Sequence, residues 1–142
     1  MITDRLLQPS VAQAITAAAA STDYIDLGVA RDIGAGENLY VVVTVDVAFT
    51  DASSNSTLTV AAQYDSTTTF TPDETQTLFT IPALAAAGSV YVARIQPSQA
   101  AYRYLQLYYT PNNGDLSTGS VSASIVKDVD VQKYYASGFT IS

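Results

Sequence analysis

The chain has 142 residues, 13 acidic against six basic side chains, and neither histidine nor cysteine. That length predicts one domain, residues 1–142, able to bury about 68–70% of its extended-chain surface. A net charge of −7 with scattered basic residues argues against nucleic-acid or anionic-membrane partners; the missing imidazoles and thiols exclude His-based acid–base and triad catalysis, thiol catalysis and the common zinc sites.

In chain order, residues 1–10 read as an arm. Leu6 and Leu7 are adjacent apolar residues, and Pro9 cannot donate to a central ladder. The arm either frays or docks its leucines on a neighbour. Residues 11–21 are alanine-rich. Helix propensity competes there with alternation of Val11, Gln13, Ile15 and Ala17, and the strand reading, at a sheet edge, fits the rest of the chain. The run from Ala17 to Ala20 does not make a signal peptide, because Asp4 precedes it and Gln13 and Thr16 interrupt the apolar stretch. A cytosolic chain without a targeting segment is expected. No apolar run reaches the length of about 18–20 residues that spans a bilayer.

A turn at Ser21-Thr22-Asp23 leads into a short strand with Ile25 and Leu27 inward. Residues 31–38 form a loop whose glycines supply turns. They do not bind a dinucleotide, since Leu39 stands where the third glycine of the phosphate-binding pattern belongs. Residues 39–49 then give the central strand. Leu39, Val41, Val43, Val45, Val47 and Phe49 alternate with a mixed set that includes Asp46, and the Asp46 carboxylate needs water or a partner.

Residues 51–56 are a polar loop. Asn55-Ser56-Thr57 matches a glycosylation sequon, which matters only in a secreted eukaryotic protein. Further strands are expected at residues 57–65, with Leu58, Val60 and Ala62 on one face, at 75–81 and at 89–96. A second strong strand covers 102–110, with Leu105, Leu107 and Tyr109 on one face and Tyr104, Gln106 and Tyr108 on the other. Asn113-Gly114 marks a hairpin, closed by residues 119–126 with Val121, Ala123 and Ile125 inward. The tail, 128–142, carries Tyr134, Tyr135 and Phe139, which pack on the domain or bind a partner.

An all-β antiparallel sandwich or jelly roll of about eight strands follows, with residues 11–127 as its body. Three carboxylate pairs, Asp23/Asp26, Asp73/Glu74 and Asp128/Asp130, lack any mark of a catalytic cleft, and no calcium-loop or nucleophile-elbow pattern appears. No enzyme, cofactor or metal is expected.

Several stretches carry a resemblance. They are Ser21-Thr22-Asp23-Tyr24-Ile25-Asp26-Leu27-Gly28 with the two alanines before it, Ala30-Arg31-Asp32-Ile33-Gly34, Gly36-Glu37 and Leu39-Tyr40-Val41-Val42-Val43. To these add Tyr102-Arg103-Tyr104-Leu105-Gln106-Leu107-Tyr108-Tyr109 and Tyr135-Ala136-Ser137-Gly138-Phe139. In these the chain resembles the Bbp16-like capsid cement proteins of tailed bacteriophages, over nearly its whole length and least over 51–87. The resemblance implies a jelly-roll-like domain on the exterior of an icosahedral head. It also implies the major capsid protein as partner, self-association as a dimer or trimer, and no catalytic motif. Leu6, Leu7, Tyr134, Tyr135 and Phe139 are the expected clasping residues. The competing expectation is a carbohydrate-binding module using Tyr104, Tyr108, Tyr91 or Tyr40; a weaker one is a hydrolase using paired carboxylates.

Overall fold

The protein is described by a computed structural model covering residues 4–32, 39–95 and 101–126. Among these residues there are nine strands: β1 Ser10–Ala14, β2 Ala19–Ala20, β3 Ile25–Asp32, β4 Tyr40–Thr50, β5 Thr57–Asp65, β6 Glu74–Ile81, β7 Val90–Arg94, β8 Ala101–Asn112 and β9 Thr118–Val126. A short 3-10 turn, Arg5–Leu7, precedes them, with the Asp4 carboxylate accepting from the Leu6 N–H at its start. The strands form two antiparallel sheets. One has the order β1-β9-β4-β7; the other has β2-β8-β5-β6, with β3 also pairing β8.

β2 and β3 occupy successive stretches of one side of β8, with Ala20 opposite Tyr108 and Ile25 opposite Leu105. They are one strand broken in the middle. Ser21 seals the break: its N–H donates to the Leu107 carbonyl, and its hydroxyl accepts from the Leu107 N–H and donates to the Asp23 carbonyl. Counted as one, the strands run 1-8-3-6 in one sheet and 2-7-4-5 in the other. That is jelly-roll order, and the expected sandwich of about eight strands is what forms.

The core lies between the sheets. Val41, Val43, Val45, Val121, Ala123 and Ile125 face Leu58, Val60, Ala62, Tyr64, Leu105, Leu107 and Tyr109, all buried. Each set sits at alternate positions of its strand, as a pleated backbone requires. The alternation read in residues 57–65 and 102–110 is therefore the real inward face. Tyr64 extends the β5 set, its hydroxyl donating to the Gln76 side-chain carbonyl at 3.2 Å.

The strand expected over 11–21 is two strands, β1 and β2, in different sheets, and Arg31 and Asp32, expected in a loop, end β3. Three further local expectations change. Val47 is half-exposed (51%), not buried with its neighbours. Against β9, β4 carries one extra residue between Val45 and Val47 and another between Val47 and Thr50. The first bulge turns Val47 outward and the second restores Phe49 to the core. Asp46, on the outer side, finds its partner in the Ser122 hydroxyl at 2.5 Å. Second, β8 and β9 are not a hairpin. Asn113 and Gly114 do take positive φ, 66° and 111°, but the chain then crosses to the other sheet, burying Leu116 and pairing β9 with β4 and β1. Third, Pro111 lies inside β8, opposite Leu58. Leu107 turns its N–H toward the β2/β3 side, so Pro111, four residues on, faces the same side; β2 ends opposite Tyr109, and no ladder bond is lost.

The start of the chain is built in more firmly than an arm implies. Ser10 is buried, and its hydroxyl donates to the Gln13 side-chain oxygen at 2.7 Å. Its one hydrogen is then used, so the Tyr109 phenol, 2.7 Å away, must be the donor to Ser10. Gln13 also accepts from the Thr22 N–H and donates to the Ala20 carbonyl. This chain of polar contacts ties β1 to β2 and to β8 across the sandwich edge.

Candidate interaction surface

Leu6 and Leu7 are neighbours in sequence and part company in space. Leu7 is half-buried and packs on the core, while Leu6 is 83% exposed. Of the two, Leu6 is the one left uncovered by the described residues. It borders a pocket of about 430 Å³ whose other walls include Arg5, Pro9, Asp23 and Tyr24. Arg5 bridges to Asp23 at 3.3 Å and donates to the Gln8 carbonyl, which holds the 3-10 turn against the β2–β3 connection. Tyr134, Tyr135 and Phe139 lie outside the described residues, so only the N-terminal half of the expected clasp is located.

Next to the pocket stands an aromatic corner. Tyr24 meets Tyr104 edge-on at 5.7 Å and Phe70 at 5.9 Å. The Arg103 guanidinium lies 5.0 Å from the Tyr104 ring centre and grips Asp26 through two contacts, of 2.9 and 3.1 Å. That pair, with the Gly28 N–H, holds the Asp26 carboxyl below the usual range and raises Arg103. Asp23 and Asp26, one of the carboxylate pairs considered for catalysis, are thus each engaged by an arginine. Asp73 accepts from the Ser66 N–H and hydroxyl, and Asp128 and Asp130 lie outside the described residues. Asp51 organises its own loop: desolvation pushes its carboxyl up, but the N–H groups of Ser56, Asn55 and Ser53 outweigh this and hold it below the usual range.

The four tyrosines considered as a sugar platform do not share a surface. Tyr91 stacks on Phe79 at 5.9 Å and packs against the core. Tyr40 packs with Val42, Val92 and Val126. Tyr104 and Tyr108 lie on β8 in the other sheet, facing the same way. The exposed ring beside a pocket is Tyr24, at 47%. In sequence it stands at the head of the short strand whose Ile25 and Leu27 are read inward, and nothing local marks it as a contact; Phe70 and Tyr104, which form the corner with it, are far away in the chain.

The outer faces of the two sheets differ in chemistry. On the β2-β8-β5-β6 sheet, Asn112 donates to Thr57 and Thr59, Thr59 meets Thr80, and the Gln106 amide donates to Gln63 at 2.7 Å. This face satisfies its own polar groups. On the other sheet, Val42 and Val126 form a second apolar group flanked by Tyr40 and Val92. Val42 belongs to the face read from sequence as mixed, and the cross-strand neighbours that make it apolar come from strands far away in the chain.

Asp65 is buried at the end of β5. One carboxylate oxygen accepts from the Thr67 N–H and hydroxyl, and the other has no hydrogen-bond partner among the described residues. Among the described residues no three His, Cys, Asp or Glu side chains come close enough to hold a metal ion.

The family model described as Bbp16 matches residues 9–125, from just before β1 to the last residue but one of β9. No curated protein matches the chain.

Proposed function

The chain belongs to the Bbp16 family, and from that premise we propose that it is a structural virion protein, a cement that binds the exterior of an icosahedral phage head across joints between major capsid subunits. The observation that carries this reading is the extent of the match. It spans the whole sandwich, so the jelly roll itself, and not an appended motif, is what the family has in common. The stretches that carry the resemblance to phage capsid cement proteins noted above fall within the match, apart from Tyr135-Ala136-Ser137-Gly138-Phe139.

The mechanical logic is multivalency. The Tyr109–Ser10–Gln13 chain ties the first strand to β8, so a load at the N-terminal edge is shared with the rest of the body. If one rigid unit, or a dimer or trimer of it, touches several shell subunits, each weak contact gains from effective concentration. A protein that binds the assembled shell and not its separated subunits stabilises the shell by mass action. Leu6 is the exposed apolar contact at one end, and Tyr134, Tyr135 and Phe139 supply the other.

Co-sedimentation of purified protein with undecorated, expanded heads tests the reading. Saturable binding is expected, with reduced occupancy after deletion of residues 133–142 and an intact fold. Binding of the isolated domain to a glycan array, with no affinity for heads, would instead select the carbohydrate-binding module.

A further inference from the structure

A two-sheet sandwich has open edges, which invite unwanted strand pairing and are usually blunted. Three of the four here are blunted. In β1 the register slips between Ser10 and Gln13; Ala12 takes a φ of 45°, and its N–H is spent on the Ser122 hydroxyl. In β3 the register slips between Asp26 and Arg31 around Gly28, at φ 81°, whose N–H is held by the Asp26 carboxylate. In β6 a slip opposite Val60 and Ala61 leaves Leu78 out of step, and the strand opens on Glu74. Among the described residues β7 has no bulge and no positive φ; its one charged residue, Arg94, comes last, and the Arg94 carbonyl, accepting from Gln76, is the edge group already taken. All five of its residues pair with β4 in unbroken register.

The parity of that register fixes what β7 offers. Ile95 donates to the Leu39 carbonyl and Val45 donates to the Ser89 carbonyl, so odd-numbered β7 residues bond to β4. Val90, Val92 and Arg94 therefore turn their N–H and C=O groups toward the open edge. The Arg94 carbonyl confirms the direction, since it accepts from the Gln76 side-chain amide on β6. Val90 is 42% exposed, and Val92 adjoins the outer apolar group of Tyr40, Val42 and Val126. Arg94 is exposed. Of the three arginines with described side chains, Arg5 and Arg103 are bound to carboxylates and Arg94 forms no ion pair among the described residues.

We propose that the open edge of β7 accepts an extended strand from a partner, with apolar side chains against Val90 and Val92 and a carboxylate against Arg94. This rests on the cement reading, under which the head exterior supplies the strand. A second copy of this chain fits less well. Two-fold pairing about Val92 sets Arg94 against Val90 of the other copy, leaving both arginines without a carboxylate. Five paired residues are also a small fraction of the ~1,000 Å² that a stable interface needs, so a free dimer would lack area that a strand on the head gains from the other contacts of a multivalent shell.

The test uses the full chain, free and bound to undecorated expanded heads. Hydrogen exchange should find the Val90 and Val92 amides fast in the free protein and protected on heads. Val92→Pro removes an N–H that no strand of the sandwich uses, so the fold should survive while head affinity falls about tenfold. Arg94→Glu should lose affinity similarly and Arg94→Lys should keep most of it; these two variants keep the test open if the proline variant fails to fold. If wild-type protein binds heads and the folded Val92→Pro and Arg94→Glu variants bind equally well, strand addition at β7 is wrong and the cement reading stands. Amides of Val90 and Val92 already protected in free protein would assign the edge to a second copy and overturn the proposal. Wild-type protein that does not co-sediment ends both.

Discussion

The polar chain at the sandwich edge makes a sharp prediction about stability, because its two ends are chemically unequal. Tyr109 and Ser10 are both buried, and the phenol donates to a serine hydroxyl that itself donates to Gln13. Tyr109→Phe removes a donor and strands none: Ser10 still has Gln13. The cost is that of one neutral hydrogen bond, about 0.5–1.5 kcal/mol. Ser10→Ala removes the acceptor and leaves the Tyr109 hydroxyl buried with nothing to bond, at about 1–3 kcal/mol. Gln13 loses less, since it keeps the Thr22 N–H. In the double variant the orphaned hydroxyl is gone, so Tyr109→Phe should recover stability in the Ser10→Ala background. The coupling should reach about 1 kcal/mol, as contacting residues give. Urea unfolding of the four proteins at neutral pH measures it, with equal m-values confirming a common unfolded state. Additive costs, or Ser10→Ala cheaper than Tyr109→Phe, would refute the donor assignment and the claim that this chain pins β1.

Other perturbations follow from the same packing. A Cβ added at Gly119 would lie 2.6 Å from the Phe49 ring, so Gly119→Ala should destabilise by roughly 1–3 kcal/mol, with partial recovery on adding Phe49→Leu; calorimetric Tm reads both. Burial pushes the Tyr64 and Tyr109 phenols up, so their stabilisation is complete below the unfolded tyrosine pKa of about 10 and is lost as pH rises beyond it. Alkaline denaturation should therefore begin near pH 10 at a slope approaching 1.4 kcal/mol per pH unit per tyrosine, shallower in Tyr109→Phe; an unchanged slope would contradict the buried-phenol account. Leu6→Ala should leave Tm unchanged and lower head occupancy. Leu7→Ala, acting on a half-buried side chain, should cost about 1–2 kcal/mol of stability.

How far the sequence reached depended on the range of the forces involved. Alternation is a local property of a pleated strand, so residues 39–49, 57–65 and 102–110 announced β4, β5 and β8 nearly to the residue. Bulges depend on how a partner strand is spaced, which is why Val47 was read on the wrong face. Asn113-Gly114 encodes a chain reversal and not its destination, so β9 looked like the other half of a hairpin although it pairs in the opposite sheet. β2, only two alanines long, has no periodicity to read and exists because Tyr108 and Tyr109 lie beside it. Jelly-roll order came from the resemblance, not from periodicity. At the site, Leu6 and Leu7 were visible as an adjacent apolar pair, but which one faces outward is decided by the 3-10 turn that Asp4 and Arg5 set. The open edge of β7 was not legible at all, since an edge is defined by the strand that is missing from it.

The central claim is that this jelly roll holds a shell together, and heat tests it directly. Undecorated expanded heads should be melted in a calorimeter with increasing protein and the midpoint of shell disruption recorded. Binding that favours the assembled shell predicts a midpoint that rises with protein concentration as sites fill and falls back when residues 133–142 are deleted. A midpoint that stays fixed while the protein saturates the head surface would contradict the account.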